Sequence, residues 1–220
     1  LNTTGASNVA VGRQALDANT TAAYNTAIGN DALGANTTGS DNVAVGTDTL
    51  LTATTAADNT GCGKGVLKVT TTGAGNTAMG SGAINTNTTG ANNVSIGMGS
   101  MTDNTTGSTD VAIGRAALDA NTTADRNVAV GDNALGANTT GASNAAVGME
   151  AMLVNTTGSQ NVAFGNGSLR ANTTASYITA YGGSSLYSNT TGASNTGLGY
   201  YALNANTTGG SNTAVGYQAG

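Results

Sequence analysis

The sequence predicts an all-β fold, a parallel β-solenoid of thirteen coils in which each coil is one 17-residue repeat. An invariant short period is the signature of a stacked array in which each repeat forms one structural unit. The idealised repeat reads N-T-T-G-x-x-N-V-A-V-G-x-x-A-L-x-A, and its positions are numbered one to seventeen from the first Asn. Position eleven is glycine in every copy, without insertion or deletion, at Gly12, Gly29, Gly46, Gly63, Gly80, Gly97, Gly114, Gly131, Gly148, Gly165, Gly182, Gly199 and Gly216.

The strand of each coil is predicted at positions seven to eleven, as in the segment 42–46. Position eight is Val, Thr or Ala, and β-branched residues favour strands. A helix is excluded because only about five residues separate the turn signals and glycine ends each segment. A 17-residue period is also shorter than the roughly 30 residues that a helix pair needs. Each strand should therefore pair with the coils above and below it, about 4.8 Å away.

Four other positions are nearly invariant and predict how the coils stack. The invariance of the position-eleven glycine indicates a positive φ, or a backbone approach too close for a Cβ. Positions two and three are Thr in all thirteen copies, and positions one and seven are Asn in eleven copies each. Identical polar residues stacked coil on coil can form amide and hydroxyl ladders. Asn and Gly also supply turn geometry, so these positions are predicted to hold the turns in register.

The apolar positions predict two buried columns. Position fifteen is Leu, Met or Ile in the series Leu16 to Leu203, and we expect this series to be buried. Positions eight and ten point to one side of a strand, and positions seven and nine to the other. Because position ten is always apolar, we expect a second buried column at Val11, Ile28, Val45, Cys62, Met79, Ile96, Ile113, Val130, Val147, Phe164, Tyr181, Leu198 and Val215.

Neither face of the strand carries the charged residues of a solvated face. A coil this short encloses only a narrow core, so the second face is expected to meet another chain. Burial at position eight or nine should then rise when partner chains are present. This pattern predicts a homo-oligomer, although it does not distinguish two chains from three.

Composition excludes several classes of function. Charged residues make up 8% of the chain, against roughly 25% in typical globular proteins, and the net charge is −5. The six basic residues are scattered, which argues against nucleic acid as a partner. The single cysteine, Cys62, rules out an internal disulfide framework and is predicted to be a small buried hydrophobe. No apolar run approaches the roughly 18 residues of a membrane helix, so no membrane insertion is expected.

The organisation of the chain shows no linker. We therefore expect residues 1–220 to form one continuous repeat array. Because both ends cut into a repeat, the array is expected to be a segment of a longer fibre. Eleven copies of Asn-Thr-Thr, from Asn2 to Asn206, match the N-glycosylation acceptor, but an Asn turn combined with a Thr ladder is the favoured interpretation.

Catalytic chemistry is not predicted. The chain has no histidine, the commonest general base and metal ligand. Asp41 and Asp58 stack on adjacent coils, as do Asp31 and Asp48, and we interpret both pairs as solvated loop acids. No catalytic, cofactor-binding or metal-binding residue is assigned, no cofactor is expected, and the chain is not expected to be an enzyme.

The repeat resembles a known family of surface proteins. The run Asn8-Val9-Ala10-Val11-Gly12-Arg13-Gln14-Ala15 has the form Asn-x-Ala-apolar-Gly-x-x-Ala and resembles the head repeats of YadA-like trimeric autotransporter adhesins. The segment NTAVGYQA at 212–219, joined to Asn-Thr-Thr-Gly, is similar to repeats of phage tail fibres and bacterial surface proteins, many of which precede an endosialidase-type chaperone domain. The resemblance implies a left-handed β-roll, a homotrimer and an extracellular location on a virion fibre or cell surface. The YadA-like coil is usually shorter, so the Asn-Thr-Thr-Gly loop is an addition here.

The function expected from these features is that of a structural fibre or adhesin segment, as in a phage tail-fibre or bacterial adhesin shaft. Variable positions six, twelve, thirteen and sixteen are expected to form stripes that contact a host-cell surface receptor or glycan. The candidate contact residues are Tyr177, Tyr187, Tyr200, Tyr201 and Tyr217. Two alternatives remain open. One is a self-assembling extracellular filament or matrix protein without a receptor. The other is an ice- or glycan-surface binder, which requires positions two and three to lie in a turn-like conformation.

Overall fold

The computed structural model describes residues 2–220, and its regular secondary structure consists of thirteen short parallel strands, with no helix in the part described. Each strand occupies positions eight to ten of one repeat, inside the predicted segment. The strands are β1 (Val9–Val11), β2 (Thr26–Ile28), β3 (Val43–Val45), β4 (Thr60–Cys62), β5 (Thr77–Met79), β6 (Val94–Ile96), β7 (Val111–Ile113), β8 (Val128–Val130), β9 (Ala145–Val147), β10 (Val162–Phe164), β11 (Thr179–Tyr181), β12 (Thr196–Leu198) and β13 (Thr213–Val215).

The structure divides into two compact units. The first ends at Thr109 and contains β1 to β6, and the second spans Asp110–Gly220 and contains β7 to β13. Within each unit consecutive strands pair in parallel, and each residue lies opposite its equivalent in the next repeat. Val43 thus pairs with Thr60 in the first unit, and Val162 pairs with Thr179 in the second. The predicted β-solenoid with one 17-residue coil per turn is confirmed.

The remainder of each coil is a series of tight turns rather than a helix. The N–H of Gly34 donates to the carbonyl of Asp31 at 3.2 Å, and the N–H of Asn36 donates to Leu33 at 3.1 Å. Backbone bonds between coils continue through these turns, as from the N–H of Leu33 to the carbonyl of Thr49 at 3.0 Å. Buried backbone groups need such partners. The coils are therefore joined by a backbone ladder well beyond the strands themselves.

The position-fifteen column lies at the centre of each unit, as predicted. Leu33, Leu50 and Met101 in the first unit, and Leu118 and Leu186 in the second, are fully buried. These residues take a left-handed backbone conformation, with φ of 52° at Leu50 and 54° at Leu118. That conformation costs a non-glycine residue about 1–2 kcal/mol. The burial of a large side chain in most coils offsets that cost.

The predicted burial of the position-ten column is wrong. These side chains point outward, and Val11, Ile113 and Tyr181 are 57%, 38% and 56% exposed. Cys62 on the same face is half-buried, so it is not the buried hydrophobe that was expected. Position nine points inward instead, where Ala27 and Ala129 are fully buried. The strand is therefore turned so that its small side chains face the core.

The physical reason is the limited space inside the coil. Position fifteen already fills the centre, so position nine has room for little more than a methyl group. Gly61 occupies position nine where position fourteen carries the larger Thr49 and Val66. A Cβ on Gly61 would lie 2.7 Å from Cγ2 of Thr49 and 3.4 Å from Cγ1 of Val66. Residue size at positions nine and fourteen is thus complementary between neighbouring coils.

Asparagine ladders form the polar part of the core, which confirms the stacking prediction. At position seven, Oδ1 of Asn25 accepts the N–H of Asn42 at 3.0 Å, and Nδ2 of Asn42 donates to the carbonyl of Ala56 at 2.8 Å. At position one, Nδ2 of Asn36 donates to the carbonyl of Gly39 at 2.9 Å. These amides are fully buried. In the folded chain they serve the turns, so the Asn-turn interpretation of Asn-Thr-Thr is the one that the geometry supports.

Candidate functional site

The outward sheet face is the surface formed by positions eight and ten of the strands. It contains no charged residue in any copy, and its members are Val, Thr, Ile, Ala, Met, Leu, Cys, Phe and Tyr. In the second unit the rings of Phe164 and Tyr181 stack on this face with centroids 5.4 Å apart. Exposed apolar side chains recur in both units, including Val9, Ile28, Val43, Met79, Ile96, Val128, Val162, Leu198 and Val215. Within each unit, an exposed and largely apolar surface of this kind is typical of an interaction site.

The charged side chains pair with one another across adjacent coils. Asp31 lies 3.7 Å from Arg13, and Asp48 lies 3.4 Å from Lys68. Each of these acids therefore contacts a cation of an adjacent coil. Within residues 2–220, no group of three or more His, Cys, Asp or Glu side chains is placed to hold a metal ion. The acid positions are consistent with solvated edges of the coil.

Asp110 is the one position-seven aspartate and is fully buried. Its Oδ1 accepts the N–H of Asn127 at 2.7 Å, and its Oδ2 accepts from Nδ2 of Asn121 at 3.3 Å. Burial raises the pKa of this carboxyl from 3.8 to about 7, although the hydrogen bond from the Asn127 N–H opposes the rise and the charge of Asp125 adds to it. With its contacts inside the amide ladder and no solvent access, Asp110 has a structural role.

The threonine ranks lie in a bend, so both can face outward. At position two the hydroxyl donates to the carbonyl of the equivalent Thr in the next repeat, as from Thr71 to Thr88 at 2.9 Å and from Thr139 to Thr156 at 3.0 Å. At position three the side chain is exposed in every copy. We call these thirteen residues the threonine rank: Thr4, Thr21, Thr38, Thr55, Thr72, Thr89, Thr106, Thr123, Thr140, Thr157, Thr174, Thr191 and Thr208.

Four of the five predicted receptor-contact tyrosines lie in the turn that follows the strand. Tyr200 packs edge-on against Tyr201, with centroids 4.4 Å apart, and stacks on Tyr217 at 6.0 Å. Tyr187 belongs to the preceding coil, at position sixteen. Tyr177 lies apart from these contacts, because position six precedes the strand, and its side chain is 63% exposed. The predicted stripe is therefore a cluster of four tyrosines plus one separate residue.

The aromatic groove is an open groove of about 380 Å³ lined by Ser184, Tyr187, Ser188, Tyr201 and Asn204. The two tyrosines were predicted from the sequence, but the two serines and Asn204 were not. The spacing of oppositely charged residues along the repeat contained a signal for the groove residues that were not predicted. Lys68 forms an ion pair with Asp48 of the preceding coil, and Arg170 does the same with Glu150. Position sixteen therefore lies beside position thirteen of the preceding coil, which places Asn204 beside Ser184.

Together these features define a β-solenoid with an apolar outward sheet face and an aromatic groove at one edge. Comparison with known proteins finds no matching family model, and no curated protein and no solved structure matches the chain either. In residues 2–220 the structure forms no helix suited to crossing a membrane.

Proposed function

We propose that the chain is a structural segment of an extracellular fibre, of the phage tail-fibre or bacterial adhesin-shaft kind, that displays contacts for a host-cell receptor or glycan. The observation that carries this proposal is the contrast between the inside and the outside of the coil. The interior side chains serve stacking in every copy, whereas positions six, twelve, thirteen and sixteen vary and lie at the surface. A repeat of this design supplies length and a variable surface.

The working unit proposed for this fibre is a homotrimer. Its support is the outward sheet face, which is apolar in both units and exposed in the single chain. A parallel partner in register would match this surface coil by coil, because the same positions recur in every repeat. Closed symmetry limits such an assembly, and the resemblance to trimeric adhesins and tail fibres favours three chains.

Binding to intact cells tests the adhesive part of the proposal. Labelled chain should bind saturably to at least one cell type in a panel of Gram-negative, Gram-positive and mammalian cells, and unlabelled chain should compete. If no cell type binds it and the chain instead grows into filaments with rising concentration, the alternative of a self-assembling filament without a receptor is correct.

A second candidate function, ice- or glycan-surface binding, is favoured by the threonine rank. Position three is Thr in every copy and its side chain is exposed. Thermal hysteresis, a freezing temperature below the melting temperature of ice, would reveal ice binding. Thr123→Lys combined with Thr157→Lys should then abolish the hysteresis. A chain with no hysteresis would contradict ice binding and leave the fibre proposal unaffected.

A further inference from the structure

We propose that the aromatic groove binds a neutral carbohydrate. This inference deepens the proposed function, because it names the chemical class of the receptor that the fibre contacts. Its basis is a lining that combines two tyrosine rings, here called the two walls, with hydroxyl and amide groups, all within the second unit.

The first wall is Tyr187, which is held against the preceding coil. A Cβ added to Gly167 would lie 3.4 Å from two carbons of the Tyr187 ring, so glycine at this site lets the ring pack closely. The guanidinium carbon of Arg170 lies 5.7 Å from the ring centroid. Contacts of this kind fix an aromatic ring before a ligand arrives, which lowers the entropy cost of binding.

The second wall is Tyr201, which is held by the neighbouring tyrosines. Its ring meets Tyr200 edge-on at 4.4 Å, and Tyr200 stacks on Tyr217 at 6.0 Å. Tyr200 in turn packs on the preceding coil, since a Cβ on Gly183 would lie 3.0 Å from its ring. Both tyrosine rings of the groove are therefore held in place by contacts with neighbouring residues.

Polar groups make up the rest of the groove lining. Ser184 and Ser188 contribute hydroxyl groups that donate and accept hydrogen bonds, and Asn204 contributes an amide. The Nδ2 of Asn204 donates to the carbonyl of Ser184 at 3.1 Å, which fixes the orientation of the amide. A sugar ring matches this lining, because its C–H face can stack on a tyrosine while its hydroxyls bond to Ser and Asn.

The charge and size of the groove select a neutral sugar. None of the five lining residues is charged, and the adjacent Arg170 is paired with Glu150 at 2.8 Å. An anionic ligand would therefore have to compete for Arg170. The volume of about 380 Å³ falls in the range of small-ligand sites, roughly 300–1,000 Å³. Because the groove is open, it suits one or two units of a longer glycan.

Saturation-transfer NMR with defined oligosaccharides tests the proposal. The probes are neutral tetrasaccharides of glucose, galactose, mannose and N-acetylglucosamine, with a sialylated tetrasaccharide as the anionic comparison. At least one neutral probe should receive saturation at its ring C–H protons. Tyr187→Ala and Tyr201→Ala should each weaken its affinity by about tenfold or more. Tyr24→Ala is the matched control and should leave affinity unchanged, because Tyr24 is an exposed tyrosine that lies outside the groove.

Ser188→Ala keeps both walls and removes one hydroxyl, so a smaller loss of affinity is expected even where a tyrosine variant fails to fold. The proposal is overturned if no neutral probe binds at millimolar concentration, if only the sialylated probe binds, or if Tyr24→Ala weakens binding as much as the groove variants. Cell binding that survives both groove variants and is lost on protease treatment of the cells points to a protein receptor. That outcome overturns the groove assignment and leaves the fibre proposal intact.

Discussion

At the scale of single residues, the position-seven asparagine joins one coil to the next. At Asn42, Oδ1 accepts the backbone N–H of Asn59, and Nδ2 donates to the backbone carbonyl of Ala56. Both groups are inside the coil and away from water. A buried donor or acceptor that loses its partner costs about 1–3 kcal/mol. The near-invariance of this amide therefore follows from the hydrogen bonds of the turns.

Asn42→Ala is predicted to destabilise the chain more than Asn25→Ala. Among residues 2–220, Asn42 is the one side chain that donates to the carbonyl of Ala56, because position one of that coil is Ala53. The carbonyl of Gly39, by contrast, accepts hydrogen bonds from both Asn25 and Asn36. When the Asn25 side chain is removed, this carbonyl still accepts the bond from Nδ2 of Asn36, at 2.9 Å. Urea unfolding should show a difference of about 1–3 kcal/mol between the two variants. Equal losses would contradict this account of the ladder.

Asp110 predicts a pH dependence with a defined sign. Its pKa rises from 3.8 to about 7 on folding, so the folded state retains the proton between these values. The contribution of this protonated carboxyl to the free energy of unfolding is fully present below pH 3.8 and is lost as the pH rises through about 7. The loss amounts to up to about 4 kcal/mol. Asp110→Asn should remove this dependence, which urea unfolding at pH 4.5 and pH 8 would measure. The same slope in both proteins would refute the assignment.

At the scale of the strand and its turns, position eleven determines how closely two coils approach. Gly29 has a φ of 137°, and a Cβ on it would lie 2.5 Å from the carbonyl oxygen of Gly46. Both reasons inferred from the sequence, positive φ and close backbone approach, therefore hold at this position. The strand ends there because only glycine can make the turn against the next coil.

Gly29→Ala is expected to be far more damaging than Gly82→Ala. Both glycines have positive φ, of 137° and 70°. A Cβ on Gly82 meets nothing within 4 Å, whereas the contact at Gly29 is with the backbone of the next coil. Gly82→Ala should lower the free energy of unfolding by about 1 kcal/mol, from backbone strain alone. Gly29→Ala should lower it several times more. Thermal unfolding with similar midpoints for the two variants would disprove the close approach.

The buried position fifteen and the outward position ten predict different costs of truncation. Leu118→Ala should cost about 2–5 kcal/mol, because Leu118 is fully buried. Ile113→Ala in the same coil should cost less than about 1.5 kcal/mol in the isolated chain, because Ile113 is 38% exposed. The sequence-based expectation that Ile113 is buried is wrong, and the smaller loss follows from its exposure. Chemical denaturation of the isolated chain measures both, and a larger loss at Ile113 would reverse the assignment of the faces.

The period and the strand could be predicted from the sequence, but the direction of the strand faces could not. Thirteen glycines at one interval determine the coil length and the pairing register. Side chains are small at position nine and large at position ten, and this pattern is compatible with a core lined by either position. The choice depends on how much room position fourteen leaves beside position nine, as the tight fit of Gly61 against Thr49 and Val66 shows. The aromatic groove escaped prediction because Ser184 and Asn204 meet only through the stagger between coils.

At the scale of the whole molecule, the outward sheet face is the feature that the single chain leaves unexplained. Two positions were candidates for burial by a partner, position eight and position nine. Position nine is already buried within the coil, as at Ala129, which leaves position eight. Position ten points outward together with position eight, so these two positions form the surface available to a partner. This face is proposed to be the contact between the chains of the homotrimer.

Light scattering of the 220-residue chain at micromolar concentration tests the proposed homotrimer. The wild-type mass should be about three times the 21.1 kDa of one chain. Val128→Lys combined with Val162→Lys places charges on the outward sheet face, where these residues are 38% and 39% exposed, and should give monomers. The control, Thr123→Lys combined with Thr157→Lys on the threonine rank, should remain trimeric. A wild-type chain that stays monomeric, or a trimer unaffected by lysines on the outward sheet face, would contradict the account.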